Sequence, residues 1–320
     1  MVSMSLVWAL LTVFLLSFVF TMGLNIVFRF LGKRGFLGNL FPNVRGGIPR
    51  AIGLVPFILL SFWLPTGYNN LVLIIGIFAF IDDLLGRRKF FDMPIEWGQL
   101  SRGIGILLVI ICGFNMGLGF SSILIAFLVQ PINISDMQPG STCIVTMIMS
   151  VLTIMIMLIL GVGDILEIPA FYTPLLVLVV CLAYCPLDFA GKIMLGEVGN
   201  HSFAVALGIG FYMIGGFIPT LLLTIVTVCL TAFVRRNTLK VFFMKRLDIS
   251  NPTFGDYFMD VLTGGGLGDL FRRIFLGKKQ YVIKNDFLIV LGFRRLFYNP
   301  YAQYNTSFSS NERNYKPKLN

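Results

Sequence analysis

Residues 51–81 read AIGLVPFILLSFWLPTGYNNLVLIIGIFAFI, a stretch without one charged side chain. A helix needs roughly 20 apolar residues to span a bilayer. The polar turn PTGYNN at residues 65–70 divides the stretch into two apolar segments. The stretch therefore predicts two membrane helices joined by a turn.

The whole chain has the same apolar character. Of its 320 residues, 57% are hydrophobic and 12% are charged, and the mean hydropathy is +0.86. A soluble domain has about 25% charged residues. The N-terminal apolar run is too long for a secretory signal and has no basic residues before it, so we expect a retained first span. The five cysteines lie inside apolar runs, which indicates packing residues rather than metal ligands or disulfides.

Charge-free windows predict nine transmembrane helices. One helix each lies in 2–28, 137–163 and 168–187, and two each lie in 51–81, 103–135 and 198–234. With the N-terminus outside, all 25 Lys and Arg residues fall on the cytoplasmic side, as the positive-inside rule requires. The outer turns then contain only two charged residues, Asp164 and Glu167. We therefore expect an all-α, polytopic membrane helical bundle.

The chain divides into three parts by composition. Residues 1–235 form the predicted transmembrane domain, and residues 236–297 form a cytoplasmic or interfacial segment. In that segment the apolar patch Phe287–Phe293 is too short to span and is flanked by Lys284, Arg294 and Arg295, which is typical of a segment at the membrane surface. Residues 298–320 are polar and predict a disordered, cytoplasmic tail.

Two acidic or amide clusters stand at predicted cytoplasmic helix ends. Asp82 and Asp83 close a span in IFAFIDDLLG. Adjacent carboxylates suit a divalent cation that also binds substrate phosphates, although a solvated helix end is the simpler alternative. Asn133 and Asp136 lie in QPINISDMQPG, where a polar turn between helices is the more common explanation.

The third cluster is LDFAGKIMLGEVGNHSFAVALG, residues 187–208. Lys192, Glu197, Gly196 and Gly199 precede an apolar helix, where backbone N–H groups can meet phosphate. His201 is the only histidine, and capping or packing is its commoner role. All three clusters fall on the predicted cytoplasmic face, so they indicate one site there for an anionic substrate. Nearby basic residues either bind diphosphate or serve as positive-inside anchors; they are Arg87, Arg88, Lys89, Arg102, Arg235 and Arg236.

Four motifs in this order resemble those of the polyprenyl-phosphate N-acetylhexosamine-1-phosphate transferases, the MraY/WecA group. GGIPRAIGL at 46–54 resembles the Pro-Thr-Met-Gly-Gly loop of that family, and IDDLLG at 81–86 resembles its Asp-Asp-x-x-Gly element. Asn133-x-x-Asp136 resembles the end of its Asn-x-x-Asn-x-x-Asp motif, with Gln130 at the first Asn. GKIMLGEVGN at 191–200 resembles its Ala-Lys-x-Phe-Met-Gly-Asp-x-Gly-Ser, with Glu197 and Asn200 in place of Asp and Ser. The likeness covers about residues 1–235.

The resemblance implies a Mg²⁺-dependent enzyme of the plasma membrane that acts in cell-envelope polymer synthesis. It would transfer a sugar-1-phosphate from a UDP-sugar to a polyprenyl phosphate and release UMP. By this resemblance Asp82, Asp83 and Asp136 are catalytic, and Asp82, Asp83 and Glu197 bind the metal. The implied substrate-binding residues are Asn133, Lys192, Gly196, Gly199 and Asn200.

Three functions stay open at this point. The first is the active transferase, and the second is a catalytically silent relative that binds lipid phosphate or a partner. The third is an unrelated transporter, which should show ionisable residues near the middle of the membrane and an internal repeat; the sequence has no such repeat. A homodimer is kept as an option, and nucleic acid is not an expected partner.

Overall fold

The computed structural model describes residues 4–42, 46–86, 88, 96–165, 168–247, 249–299 and 302, and it is helical in nearly every element. The first ten helices are α1 (Met4–Lys33), α2 (Leu54–Trp63), α3 (Tyr68–Leu85), α4 (Trp97–Asn115), α5 (Ser121–Phe127), α6 (Val129–Ser135), α7 (Ser141–Leu160), α8 (Tyr172–Phe189), α9 (Gly196–Gly215) and α10 (Phe217–Phe242). Four shorter ones follow: α11 (Phe254–Thr263), α12 (Gly266–Leu276), α13 (Asp286–Val290) and α14 (Phe293–Leu296). A 3-10 turn at Gly38–Leu40, a π-helical turn at Phe243–Leu247 and the antiparallel pair β1 (Asp164–Ile165) and β2 (Ile168–Pro169) complete the elements.

Seven of the described helices are long and apolar enough to cross a membrane, so the protein is a multi-pass membrane protein. They are α1, α3, α4, α7, α8, α9 and the continuous helix from Phe217 to Leu247. The expectation of nine spans is confirmed only to this extent. The other two expected segments are helical, but α2 has 10 residues and α5 with α6 covers only Ser121–Ser135. At 1.5 Å per residue, α2 reaches about half of a hydrocarbon core roughly 30 Å thick.

The chain forms two compact units, Met1–Thr227 and Val228–Asn320. The division falls inside α10, near the boundary at 235 that the composition indicates. Most of the predicted tail at 298–320 lies outside the described residues, as do Arg87, Lys89 and Glu167.

Helix α9 is the central element of the first unit. It contacts α2, α3, α5, α6, α7 and α8. In its 18-residue apolar stretch, 89% is buried. Small residues let the neighbouring backbones approach closely: a Cβ on Gly208 would lie 3.0 Å from the Cα of Ile125. The site described below is built at the first turn of this buried helix.

The second unit packs its short helices around ion pairs. The Arg295 guanidinium lies 2.5 Å from the buried Asp260 carboxylate, and Arg294 lies 2.6 Å from Asp256. Thr253 and Asp256 form a capping box at the start of α11. These contacts join α11 to α14 within the unit.

Candidate functional site

Asp83 holds the start of α9. Its buried carboxylate accepts the backbone N–H groups of Glu197 at 3.1 Å and Val198 at 3.0 Å. The first N–H groups of a helix have no partner within the helix and carry partial positive charge, so a carboxylate stabilises them. Asp83 lies at the end of α3 and thus acts as a cap for a helix more than a hundred residues further along the chain.

The GGIPRAIGL loop lies against the chain that enters α9. The Met194 N–H donates to the Pro49 carbonyl at 3.0 Å, and the N–H groups of Ile52 and Gly53 donate to the carbonyls of Met194 and Leu195. This backbone pairing sets the position of Arg50, whose Nε lies 2.9 Å from the Asp83 carboxylate.

The loop packs closely against α9 because glycines, which have no side chain, lie at the contact. A Cβ on Gly53 would lie 2.4 Å from the Cα of Gly199, and a Cβ on Gly196 would lie 2.6 Å from an Asp83 oxygen. Gly199 therefore serves packing between the loop and the helix. Ala51, with φ at +62°, is the one described non-glycine residue in the left-handed region, a conformation that costs about 1–3 kcal/mol and persists only where the surrounding structure fixes it.

Asp82 forms a second ion pair, across the α3–α4 contact. Arg102 donates to its carboxylate through Nε at 3.1 Å and Nη2 at 2.7 Å. A Cβ on Gly98 would lie 1.8 Å from an Asp82 oxygen, so α4 needs glycine there.

Glu197 joins the two ion pairs. Its carboxylate oxygens lie 3.1 Å from Arg102 Nη2 and 3.5 Å from Arg50 Nη2. Three carboxylates and two guanidinium groups thus form one network at the first turn of α9, which we call the arginine–carboxylate cluster: Arg50, Asp82, Asp83, Arg102 and Glu197.

Asn133 and Asp136 reach the same turn from the other side. The Asn200 amide of α9 donates to the Asp136 carboxylate at 2.9 Å and to the Asn133 side-chain oxygen at 3.5 Å. Asn200 is buried, and its own side-chain oxygen has no partner among the described residues. The end of α6 is therefore fixed to α9 three residues after Glu197 of the arginine–carboxylate cluster.

Lys192, a predicted substrate-binding residue, and His201, which the sequence indicates as a capping or packing residue, lie apart from these contacts. The Lys192 side chain is exposed, and its backbone carbonyl accepts a hydrogen bond from Arg29. His201 is fully buried, and its Nδ1 is hydrogen-bonded to the Glu197 carbonyl one turn earlier in α9. The contact of His201 is that of a packing residue.

The implied Mg²⁺ does not fit the observed donor set. Carboxylate oxygens are suitable ligands, but each of the three predicted ligands is paired with a guanidinium group. Among the described ranges, no group of three His, Cys, Asp or Glu side chains has the arrangement of a metal site. A cation could enter only if Arg50 and Arg102 moved away from Asp83, Asp82 and Glu197.

Sequence reasoning missed three contributions. It quoted Arg50 without giving it a role, grouped Arg102 with several basic residues that either bind diphosphate or anchor the chain, and passed over Asp188. The Asp188 carboxylate accepts the Gly140 N–H at 3.0 Å and so caps α7. The positions of Arg50 and Asp188 in the sequence could have indicated their roles. Both stand inside the motif segments quoted above, next to apolar runs, where an ionisable residue needs a partner.

A scan against protein-family models and a search of curated proteins each find no match to this chain. The resemblance to the MraY/WecA group therefore rests on the four sequence motifs.

Proposed function

We propose that this chain transfers a sugar-1-phosphate of the N-acetylhexosamine type from a UDP-sugar to a polyprenyl phosphate in the plasma membrane. The reaction forms a bond between a phosphate oxygen of the lipid and the phosphorus that bears the sugar. The bond from that phosphorus to the bridging oxygen breaks, and the oxygen leaves with its electron pair as part of UMP. The product lipid would enter cell-envelope polymer synthesis.

One observation supports the proposal above all others: the four motifs meet. Arg50, Asp83, Asp136 and Glu197 come from separate motifs, and all contact the first turn of α9 or each other. A chance likeness between short motifs gives no reason for them to assemble in space. A transferase needs them assembled, because phosphoryl transfer depends on positioning and on charge neutralisation.

Arg50 and Arg102 would supply that neutralisation. Each uses Nε and Nη2 in its described contacts, and within the described residues Nη1 of each has no partner. Guanidinium groups bind phosphate through several N–H donors in a fixed plane. The carboxylates of Asp82 and Glu197 would orient Arg102 towards the diphosphate, and Asp83 would orient Arg50. Because the donor set does not fit a resident Mg²⁺, no step here depends on one.

The test is UMP release by the purified full chain, measured with a panel of UDP-sugars and undecaprenyl phosphate. We expect turnover with at least one N-acetylhexosamine donor, and a loss of roughly a hundredfold or more in Arg102→Gln, the scale of removing one preorganised charge donor. Asp164→Asn is the matched control, because Asp164 is exposed in the β1–β2 hairpin away from the cluster. Absence of UMP release with every donor, both with Mg²⁺ and with EDTA, would overturn the proposal.

A second function is favoured by the same ion pairs: a catalytically silent relative that binds phosphate-bearing lipid or a partner. Every carboxylate of the arginine–carboxylate cluster is already paired, which stabilises the resting arrangement. Binding of polyprenyl phosphate that weakens in Arg50→Gln, together with no UMP release, would establish this alternative in place of the enzyme.

A further inference from the structure

The second unit exposes an apolar face on α12. Phe271, Ile274 and Phe275 follow the i, i+3, i+4 spacing of one helix face and are 59%, 65% and 78% exposed. The two aromatic rings stack on each other at a centroid distance of 6.3 Å. Large apolar side chains grouped in this way on a surface mark a contact with a partner or a membrane.

The opposite side of α12 is fixed to the unit. Arg272 is buried, and it donates to the carbonyls of Thr263 and Leu296 at the ends of α11 and α14. The helix therefore cannot turn its apolar face inward without breaking these hydrogen bonds. The exposure of Phe275 follows from how α12 is held.

More large apolar side chains are exposed further along the chain of the second unit. Tyr281, Val282, Phe287 and Val290 are each at least half exposed. The sequence predicts an interfacial position only for 287–293; we call the α12 face and these four side chains together the apolar foot.

Exposed lysines alternate with the apolar side chains along this part of the chain. Lys278 and Lys279 follow Phe275, and Lys284 lies between Val282 and Phe287. An apolar helix face bordered by lysine and arginine fits the surface of a bilayer with anionic headgroups, where the apolar side enters the acyl boundary and the basic side meets phosphate. The bilayer is also within reach along the chain, because the last candidate span ends at Leu247, shortly before α11 begins at Phe254.

We infer that the apolar foot of the second unit is a peripheral membrane-binding surface that docks on anionic lipid. It is separate from the arginine–carboxylate cluster and does not depend on the proposed transferase activity. Docking places Phe271, Ile274 and Phe275 about 5–10 Å into the headgroup and acyl boundary. Lys278 and Lys279 then lie at headgroup level.

The test uses the full chain in nanodiscs with nitroxide labels at Phe271→Cys, Ile274→Cys or Phe275→Cys, and at Arg273→Cys as the control on the same helix. The unsubstituted protein, whose described cysteines are buried or half-buried, sets the background. In discs with anionic lipid we expect the three apolar positions to be more accessible to oxygen than to a water-soluble nickel chelate, and position 273 to show the reverse. Agreement with this helical pattern supports docking on lipid.

Charge dependence completes the test. Lys278→Gln with Lys279→Gln should lower the ratio of docked to undocked molecules about fivefold per lysine in anionic discs, since each basic residue near such a surface contributes about 1 kcal/mol. In neutral discs the two substitutions should have no effect. Labels at Ile274 and Phe275 that are open to the nickel chelate in anionic discs, or protected from both oxygen and nickel as in a protein–protein contact, would overturn the inference.

Discussion

Asp83 shows how one side chain can be both a candidate catalytic group and a structural one. A carboxylate at a solvated helix end contributes little to stability, but the Asp83 side chain is fully buried, caps α9 and pairs with Arg50. Removing it leaves two helix N–H groups without an acceptor and Arg50 without its closest partner. Loss of activity in an Asp83 variant is therefore informative only when stability is measured beside it.

We expect Asp83→Ala to lower the free energy of unfolding by about 2–4 kcal/mol, the sum of a lost helix cap and unsatisfied buried donors. Asp83→Asn should cost less, because the amide oxygen can still accept from the first turn of α9. Thermal unfolding of the detergent-purified protein measures both. Asp164→Ala, at an exposed position, should stay within about 0.5 kcal/mol of wild type. Equal stability of Asp83→Ala and wild type would exclude the capping role.

The pair between Asp82 and Arg102 can be tested by a double-mutant cycle. Asp82→Asn leaves Arg102 paired with Glu197 alone, and Arg102→Gln leaves the mostly buried Asp82 carboxylate without its guanidinium partner, whereas the double variant removes both charges of the pair. We expect a coupling energy of about 0.5–3 kcal/mol, the range for residues in one ion-pair network. Strictly additive effects of the two substitutions on unfolding would show that the pair contributes nothing.

At the scale of elements, the contact between the GGIPRAIGL loop and α9 decides where the site forms. It is made by backbone hydrogen bonds and by the close approach of Gly53 to Gly199, so it has no room for one more carbon. The backbone of Gly53 is right-handed, with φ at −58°. A side chain at 53 would therefore act by crowding alone.

Gly53→Ala is expected to destabilise the protein by about 1–3 kcal/mol, the typical cost of overpacking, and to reduce UMP release by moving Arg50. Gly103→Ala is the matched control on α4: a Cβ there meets nothing within 4 Å, and alanine favours the helix by about 1 kcal/mol. Thermal unfolding and turnover of the two variants give the comparison. A Gly53→Ala protein as stable and active as Gly103→Ala would contradict the close contact.

The same elements show how far sequence reasoning reaches. The end of α3 at Asp82 and Asp83 follows from local pattern, since the apolar run ends there. The start of α9 was predicted too late: Gly196, Glu197 and Gly199 were expected before the helix and lie in its first turn.

The partner of each carboxylate does not follow from local pattern, because it depends on how the helices pack. Arg102 reaches Asp82 through the packing of α4 on α3, and Asp83 reaches Val198 through the packing of α3 on α9. Hydropathy also could not predict the short length of α2, because it counts apolar residues but does not say where the helix begins.

At the scale of the whole membrane domain, the hydrogen bonds of the first unit restrict the topology. Asp83 at the end of α3 contacts the first turn of α9, and Asp136 after α6 contacts the same turn. These ends must lie on one side of the membrane. If the α5–α6 pair did not cross, the end of α3 would lie on the side opposite to the start of α9, which the Asp83 hydrogen bonds exclude. If α2 did not cross, Arg50 before α2 would lie on the side opposite to Asp83, which their ion pair excludes.

These contacts therefore predict that the two short segments carry the chain across the bilayer, a prediction that depends on their flanks. Non-helical backbone at membrane depth is tolerated only when protein covers it, and Ala51, Ile52 and Gly53 before α2 are buried.

Cysteine labelling of intact cells tests this argument at two positions. The argument predicts that Phe120→Cys, exposed at the α4–α5 turn, reacts with a membrane-impermeant maleimide from outside, and that Arg88→Cys reacts only after the membrane is opened. If the short segments did not cross, both results would be reversed, while a label at Gly163 would be external under either topology. Gly163→Cys thus serves as the positive control. Labelling of Arg88→Cys from outside would separate Asp83 from α9 across the membrane, and the arginine–carboxylate cluster could not exist in the folded protein.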